Sequence, residues 1–335
     1  MNAKALIAYD KQKVALRDIE IGEPGEWDIA VEVETAGLSI GTESYHIGSV
    51  DPAQPRVIGY APIARVTWVG KQAAALFAAG DRVTYFAPNP PLPAAGVIQL
   101  CGAYQSPAIL TVNPATRNRL APNDFCVKIP ADVAAEAAAF AGISAVSYFA
   151  AEMSNVKAGE KVLILGQGII GLYATQHFAL RGAEVCVADL YDMRLQMAAR
   201  CGADHVINAQ RDDVVTSVLA CWPGGADIVV DATASYRVVE QSLPALRPGG
   251  RYVFLGYYKA GDFNLGLLQG RVYDAFFPWT LQGRLVVASL KLMEMGALRA
   301  TELITHRFAV ADAPQAYETA AKYPEATAGI LLDWR

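Results

Sequence analysis

Two patterns of apolar and polar positions follow one another along the chain. Up to about Lys128 the apolar residues come in short runs of strand type, Lys4–Tyr9, Val14–Ile19 and Ile29–Thr35, with Pro24-Gly25-Glu26 as a turn. Val57–Val69 is mostly apolar and is bent at Gly59 and Pro62, and Asp81-Arg82-Val83-Thr84 opens another strand. Between Ala87 and Ala95 stand Pro88, Pro90, Pro91 and Pro93. Proline lacks the amide donor that a helix interior or a central strand requires, so this stretch is expected to be a surface loop or the wall of a pocket.

From Ala131 the pattern changes. Val133–Ala151 is rich in alanine and predicts one buried helix. Strand signals then follow at Lys161–Leu165, Glu184–Asp189, His205–Asn208, Ile228–Asp231 and Arg251–Leu255, interleaved with helical ones at Ile169–Leu180, Met193–Cys201 and Val238–Leu246. Strand and helix in alternation with short links predict βαβ units on a doubly wound parallel sheet. The chain closes with a helix (Leu285–Met295), a strand (Ile304–Phe308), a helix (Ala313–Lys322) and a strand (Gly329–Asp333). This last strand is expected to return to the first sheet. The predicted fold class is therefore α/β, with a β-rich domain over 1–128 and 285–335 and an inserted dinucleotide-binding domain over 129–284.

Composition narrows the function. Of 335 residues 53% are apolar and 18% charged, which raises the question of a membrane span. The most apolar stretch, Val133–Ala151, contains Glu136, Gly142, Ser144 and Ser147 and is built mainly from alanine, so stable membrane insertion is not expected. A formal net charge of −5 with no run of lysine or arginine argues against nucleic acid as a partner. The N-terminus lacks the apolar segment of a signal peptide, and the five cysteines are widely spaced with no C-x-x-C pair. A cytoplasmic chain without a disulfide framework is expected.

The motif with most chemical content is Leu163-Ile164-Leu165-Gly166-Gln167-Gly168-Ile169-Ile170-Gly171, a G-x-G-x-x-G directly after a strand and opening a helix. Gly166 permits the tight turn, Gly168 lets backbone amides of the Gln167–Ile170 stretch approach a pyrophosphate, and Gly171 lets the helix pack on the strand. Asp189 ends the next strand, where a carboxylate accepts the ribose hydroxyls and repels a 2′-phosphate, so NAD is favoured over NADP. Arg194 either meets a 2′-phosphate or, as the leading expectation, solvates the following helix. Thr233, Gly256 and Tyr257 lie at the ends of later strands and are expected beside the nicotinamide.

The arrangement resembles the medium-chain dehydrogenase/reductase superfamily over essentially the whole chain. The matching pieces are Ala36-Gly37-Leu38-Ser39, Ile58-Gly59-Tyr60-Ala61, Ala79-Gly80-Asp81-Arg82-Val83, Gly166–Gly171 with Asp189, and Leu246-Arg247-Pro248-Gly249-Gly250. The resemblance implies a GroES-like catalytic domain with an inserted Rossmann domain, hydride transfer with a small-molecule substrate, and a homodimer or homotetramer. Ser39 and Ser144 join the expected cofactor contacts. Zinc-dependent members carry a cysteine where this chain has Ser39, and Gly-His-Glu where it has Gly59-Tyr60-Ala61. Only Cys101 stands in the region of their four-cysteine lobe. A hydroxyl and a phenol do not replace thiolate and imidazole as zinc ligands, so a zinc-independent member with no metal site is expected. Ser39-Ile40-Gly41-Thr42-Glu43 and the tail Leu303-Ile304-Thr305-His306-Arg307, Ala316-Tyr317-Glu318 and Ile330–Trp334 are similar to the hydroxyethyl bacteriochlorophyllide dehydrogenase branch.

Without a metal, a protein acid or base must handle the hydroxyl proton and the oxyanion. The candidates are Thr42, Glu43, Tyr45 and His46, expected on a loop after the third strand, and Tyr60, which stands where zinc enzymes place a histidine. Tyr60 is the first choice to polarise a carbonyl, His46 is the alternative proton carrier, and Glu43 orients a partner, binds a substrate hydroxyl or caps backbone amides. The leading expectation is an NAD-dependent dehydrogenase of a secondary alcohol, a polyol or a cyclic hydroxy compound. The alternatives are the chlorophyllide activity, a zinc-free quinone or enoyl reductase, and a nucleotide-binding protein without turnover.

Overall fold

A computed structural model describes residues 1–11, 13–86, 98–99, 102–115, 125–279 and 281–335. The proline-rich stretch at 87–95 and Cys101 lie outside the described residues. The chain divides into two compact units, Met1–Gly142 with Thr280–Arg335, and Ile143–Trp279.

The first unit is built on two sheets. One starts from the antiparallel hairpin Asn2–Asp10 and Lys13–Glu20, in register from Asn2 opposite Glu20. The other runs in the order Cys126–Lys128, Arg82–Tyr85, Ile63–Val69, Asp28–Gly37, Gly329–Asp333, Ile304–Ala309. The C-terminal strand thus returns to the N-terminal sheet, antiparallel, with Leu331 opposite Gly37. The second unit holds six strands in the order His205–Asn208, Glu184–Asp189, Lys161–Leu165, Ala226–Asp231, Leu246–Phe254, Val272–Phe276, every pair parallel. In chain order this is 3-2-1-4-5-6, the doubly wound arrangement in which a crevice opens where the order reverses, between Lys161–Leu165 and Ala226–Asp231. The fold is α/β, with a β-rich domain and a parallel-sheet Rossmann-type domain.

Several elements differ from the sequence pattern. The segment after the third strand is a helix, Ile40–Gly48, and not a loop. Gly41, Ser44 and Gly48 lower its intrinsic propensity, but the Glu43 carboxylate accepts the Ser39 amide at its start and Ile47 is buried beneath it. The alanine-rich stretch forms two helices, Ala135–Ala138 and Ala141–Met153, instead of one. They part at Phe140, whose fully buried ring fills the space over two glycines. A Cβ would lie 2.7 Å from that ring at Gly37 and 3.2 Å from it at Gly329. The helix expected over Val238–Leu246 covers Tyr236–Ser242, and Leu246 already belongs to the next strand. The helix Val214–Cys221 and the edge strand Val272–Phe276 go beyond the elements the sequence pattern marks. Among the described residues no helix is long and apolar enough to cross a membrane.

Candidate active site

The glycine fingerprint forms the turn its sequence predicts. Gly166 has φ +86°, in the left-handed region that glycine enters without strain. A Cβ on Gly171 would stand 1.9 Å from the Gly166 carbonyl oxygen, so only glycine lets the helix Ile169–Ala179 start this close to the strand. At Gly168, by contrast, nothing lies within 4 Å of where a Cβ would stand, and this residue caps the helix with no side-chain hydrogen bond. The first amides of a helix have no partner inside it, so the end of this one is open to an anion. Asp189 is buried and locks the turn, its Oδ2 accepting the Gln167 amide at 2.6 Å and its Oδ1 the Tyr191 amide at 2.9 Å. A carboxylate has about four lone-pair sites, which leaves acceptor capacity for hydroxyl groups. Arg194 is not turned out to solvate its helix. Its Nη1 lies 3.9 Å from Asp189 Oδ2 and its guanidinium packs over the Tyr191 ring.

At the carboxyl ends of the neighbouring strands, Thr233 and Gly256 come together with Gly166. A Cβ on Gly166 would lie 2.9 Å from the Thr233 methyl, and one on Gly256 would lie 2.6 Å from the Ala234 nitrogen. Buried Asp231 organises these loops by accepting the Thr233 hydroxyl at 2.6 Å, the Ala234 amide at 3.0 Å and the Tyr258 hydroxyl. Burial raises its carboxyl above the ordinary range, opposed by these donors. Tyr257 is half-buried on the same loop. The roles of Asp231 and Tyr258 were not read from sequence, because nothing local marks a carboxylate that ties two loops together.

Ser144 lies on the helix Ala141–Met153. It is fully buried, with its hydroxyl 2.9 Å from His177 Nε2. Burial pushes the His177 imidazole down to about 3, so it is neutral.

In the first unit Ser39 caps the helix Ile40–Gly48, and Glu43 lies under it with 2% of its surface exposed. Both carboxyl oxygens are engaged. Oε1 is 3.2 Å from the Ser39 amide and 3.0 Å from the Tyr104 hydroxyl, and Oε2 accepts the Tyr317 hydroxyl at 2.6 Å. Burial raises the Glu43 carboxyl, against the pull of these donors. Tyr104 also supports the second motif, since its ring lies where a Gly59 Cβ would be, 2.0 Å from its Cγ. Gly59 (φ +84°) and Ala61 (φ +52°) bend the chain on either side of Tyr60, which is half-buried and stacked on Phe86 with centroids 6.2 Å apart. The structure therefore brings Ser39, Glu43 and the Tyr60 segment to one place. It does so through Tyr104, which no sequence signal marked, and Tyr317, which the tail motif contained.

Thr42, Tyr45 and His46 share the helix Ile40–Gly48. Tyr45 and His46 meet edge to face at 5.4 Å, and burial together with the Arg56 charge lowers the His46 imidazole. His46 is thus a neutral group at physiological pH. Among the described residues no cluster of three or more His, Cys, Asp or Glu side chains is placed to hold a metal ion.

Comparison with known proteins shows what this chain is similar to. Residues 170–276 match the family described as zinc-binding dehydrogenase. The chain is 31% identical to an alcohol dehydrogenase of Cupriavidus necator over 198 residues, spanning 57% of this chain and about half, 54%, of that protein. It is 29% identical to the Escherichia coli zinc-type alcohol dehydrogenase-like protein YdjJ, covering 95% of this chain and 94% of the other, and 26% identical to mouse sorbitol dehydrogenase, covering 95% and 92%. Among solved structures, an E. coli oxidoreductase of unknown specificity superposes with a TM-score of 0.84 at 22% identity, over 99% of both chains. A Sinorhizobium meliloti protein named as a zinc-binding dehydrogenase and solved with NADP superposes at 0.81 and 23%, again over 99% of both. These structural likenesses establish the fold. The sequence matches show similarity to zinc-type alcohol dehydrogenase-like proteins, over part of the chain for the family match and over nearly all of it for YdjJ.

Proposed function

We propose that the protein is an NAD-dependent, zinc-independent oxidoreductase that interconverts a secondary alcohol, a polyol or cyclic hydroxy compound, and its ketone. The observation that carries this reading is the locked fingerprint, with the Gln167 amide on Asp189 Oδ2 at 2.6 Å beside a helix start left open at Gly168. These residues fit a dinucleotide: the amides after Gly168 would hold its pyrophosphate and Asp189 its adenosine ribose. When bound, a nicotinamide dinucleotide supplies or accepts the hydride. The negative charge of Asp189 disfavours a 2′-phosphate, which supports NAD although one structural neighbour was solved with NADP. The names of the relatives, alcohol dehydrogenase and sorbitol dehydrogenase, support a hydroxyl-bearing substrate.

The chain's own residues supply the acid–base chemistry in this reading. The Tyr60 phenol donates to the carbonyl oxygen as it gains charge, and takes the proton back in the direction of alcohol oxidation. His46, held neutral by burial, is the alternative acceptor. Ser39 and Tyr60 do not fit a catalytic zinc, because neither offers a thiolate or an imidazole. The same reading keeps the protein in the cytoplasm as a homodimer or homotetramer.

A second reading, oxidation of a hydroxyethyl bacteriochlorophyllide, is favoured by one contact. Tyr317 donates to Glu43, which joins the two segments that carry the similarity to that branch. An assay of NAD and NADP reduction over alcohols, polyols, cyclitols and a hydroxyethyl porphyrin separates the readings. Turnover of polyols or cyclitols with NAD is expected. Turnover confined to the porphyrin replaces the first reading with the second, and no turnover with any substrate removes both.

A further inference from the structure

The hydrogens around Glu43 are one too few for an ionised carboxylate. The Tyr104 hydroxyl oxygen lies 2.9 Å from the Gly37 carbonyl oxygen and 3.0 Å from Glu43 Oε1. Both of those atoms are acceptors, and a phenol carries a single hydrogen. Tyr317 is committed to Oε2 at 2.6 Å and the Ser39 amide to Oε1 at 3.2 Å. With an ionised carboxylate, four short polar contacts would share three hydrogens. A hydrogen on the carboxyl completes the set, with Glu43 donating to Tyr104 and Tyr104 donating to the Gly37 carbonyl.

The surroundings agree. Glu43 is buried, its partners Tyr104 and Tyr317 belong to or pack on the apolar cluster of Leu38, Ile47, Ile58 and Ile330, and it has no cationic partner among the described residues. An unpaired buried carboxylate is among the most costly groups a core can hold. The groups facing it are neutral at physiological pH. His46 lies on its own helix, Tyr104 approaches with Tyr60 beyond it, and Tyr317 comes from the helix Ala313–Lys322. Of the cations on the flanking elements, Lys322 pairs with Glu318, Lys13 with Asp10 and Lys4 with Asp18, and the Arg56 charge acts on His46 and not on Glu43.

We infer that Glu43 is held as the neutral carboxylic acid and acts as a positioning residue, its proton closing a hydrogen-bond chain through Tyr104 to Gly37. The chain ties the Ser39 turn to the Gly59-Tyr60 segment, because the same Tyr104 ring occupies the space over Gly59. This assignment does not depend on which substrate, if any, the protein turns over.

Infrared spectroscopy of the full chain tests it directly. At neutral pH the wild-type protein should show a protonated-carboxyl C=O band that Glu43→Gln lacks, and Tyr104→Phe should shift that band. Asp231, the other buried carboxyl with a raised value, is the same in both proteins and cancels. Denaturant unfolding supplies a second readout. The unfolded carboxyl titrates near its ordinary 4.5, and the folded one above it. The acid's stabilising contribution is therefore full below the unfolded value and is lost as pH rises towards the folded one. Wild type should lose stability relative to Glu43→Gln across that window. Spectra that do not differ in the carboxyl region, or a wild type that gains on the variant as pH rises, overturn the assignment. Should Glu43→Gln fail to fold, Tyr317→Phe keeps the carboxyl and must shift the same band; an unmoved band overturns the assignment equally.

Discussion

Two alanines adopt a backbone conformation that favours glycine, and both follow residues assigned to chemistry. Ala61 (φ +52°) comes after Tyr60 and Ala234 (φ +56°) after Thr233. For a residue with a Cβ the left-handed region costs on the order of 1–2 kcal/mol. Ala234 is held there by the hydrogen bond its amide donates to the Asp231 carboxylate. Ala234→Gly should therefore raise stability by about 1 kcal/mol in denaturant unfolding, less whatever is returned through the greater freedom of the unfolded glycine. A loss of stability would show that the alanine is not strained. Tyr60 is argued at the same scale. General acid catalysis is typically worth about 100-fold or more, so Tyr60→Phe should lower turnover by roughly that factor while cofactor affinity, from fluorescence titration, stays within about twofold. Unchanged turnover would remove Tyr60 from the mechanism. Tyr60 was legible in the sequence because it departs from a motif. Its support, Tyr104, was not, since Tyr104 is sixty-one residues from Glu43 in the chain and meets it only in the fold.

At the scale of elements, the fingerprint turn depends on steric exclusion. Gly171→Ala would place a methyl carbon 1.9 Å from the Gly166 carbonyl oxygen, so the helix cannot start where it does. NAD binding measured by calorimetry should fall by at least about tenfold, an effect of the order of 1.4 kcal/mol. Asp189→Ala should lower the preference for NAD over NADP by roughly tenfold or more, since a hydrogen bond to a charged group is worth about 1.5–3 kcal/mol and the mutation also removes the carboxylate beside Arg194. A native preference for NADP would refute this use of Asp189. The fingerprint was legible because it is local: a strand, a turn and a helix whose residues touch within one short segment. The helix Ile40–Gly48 was not, because its glycines weaken it and its stability comes from Glu43 and from Ile47 in the core. The break at Phe140 has a similar cause, in two glycines on strands far away in sequence.

For the whole molecule, the return of the chain end is decisive. Gly329–Asp333 lies inside its sheet, between Asp28–Gly37 and Ile304–Ala309, and buries Ile330, Leu331 and Leu332 almost completely. At about 1.5–3 kcal/mol for each buried aliphatic side chain, deleting residues 329–335 should remove most of the net stability usual for a domain, about 5–15 kcal/mol. Limited proteolysis should then degrade Met1–Gly142 while Ile143–Trp279 resists longer. Equal loss of both units would contradict this division of labour. Elemental analysis of the purified protein should find well under one zinc per chain, and a stoichiometric metal would end the zinc-independent reading.

The sequence by itself determined the parallel-sheet half, the glycine turn with its acidic residue, and the return of the last strand. Each of these is set by local periodicity, by turn sterics or by a run of residues that must be buried. Only the tertiary structure decided what surrounds Glu43 and Asp231, where the alanine-rich stretch breaks, and that the loop after the third strand is a helix. A buried carboxylate's state depends on which donors the folded chain brings to it, and those donors come from segments that sequence spacing does not relate.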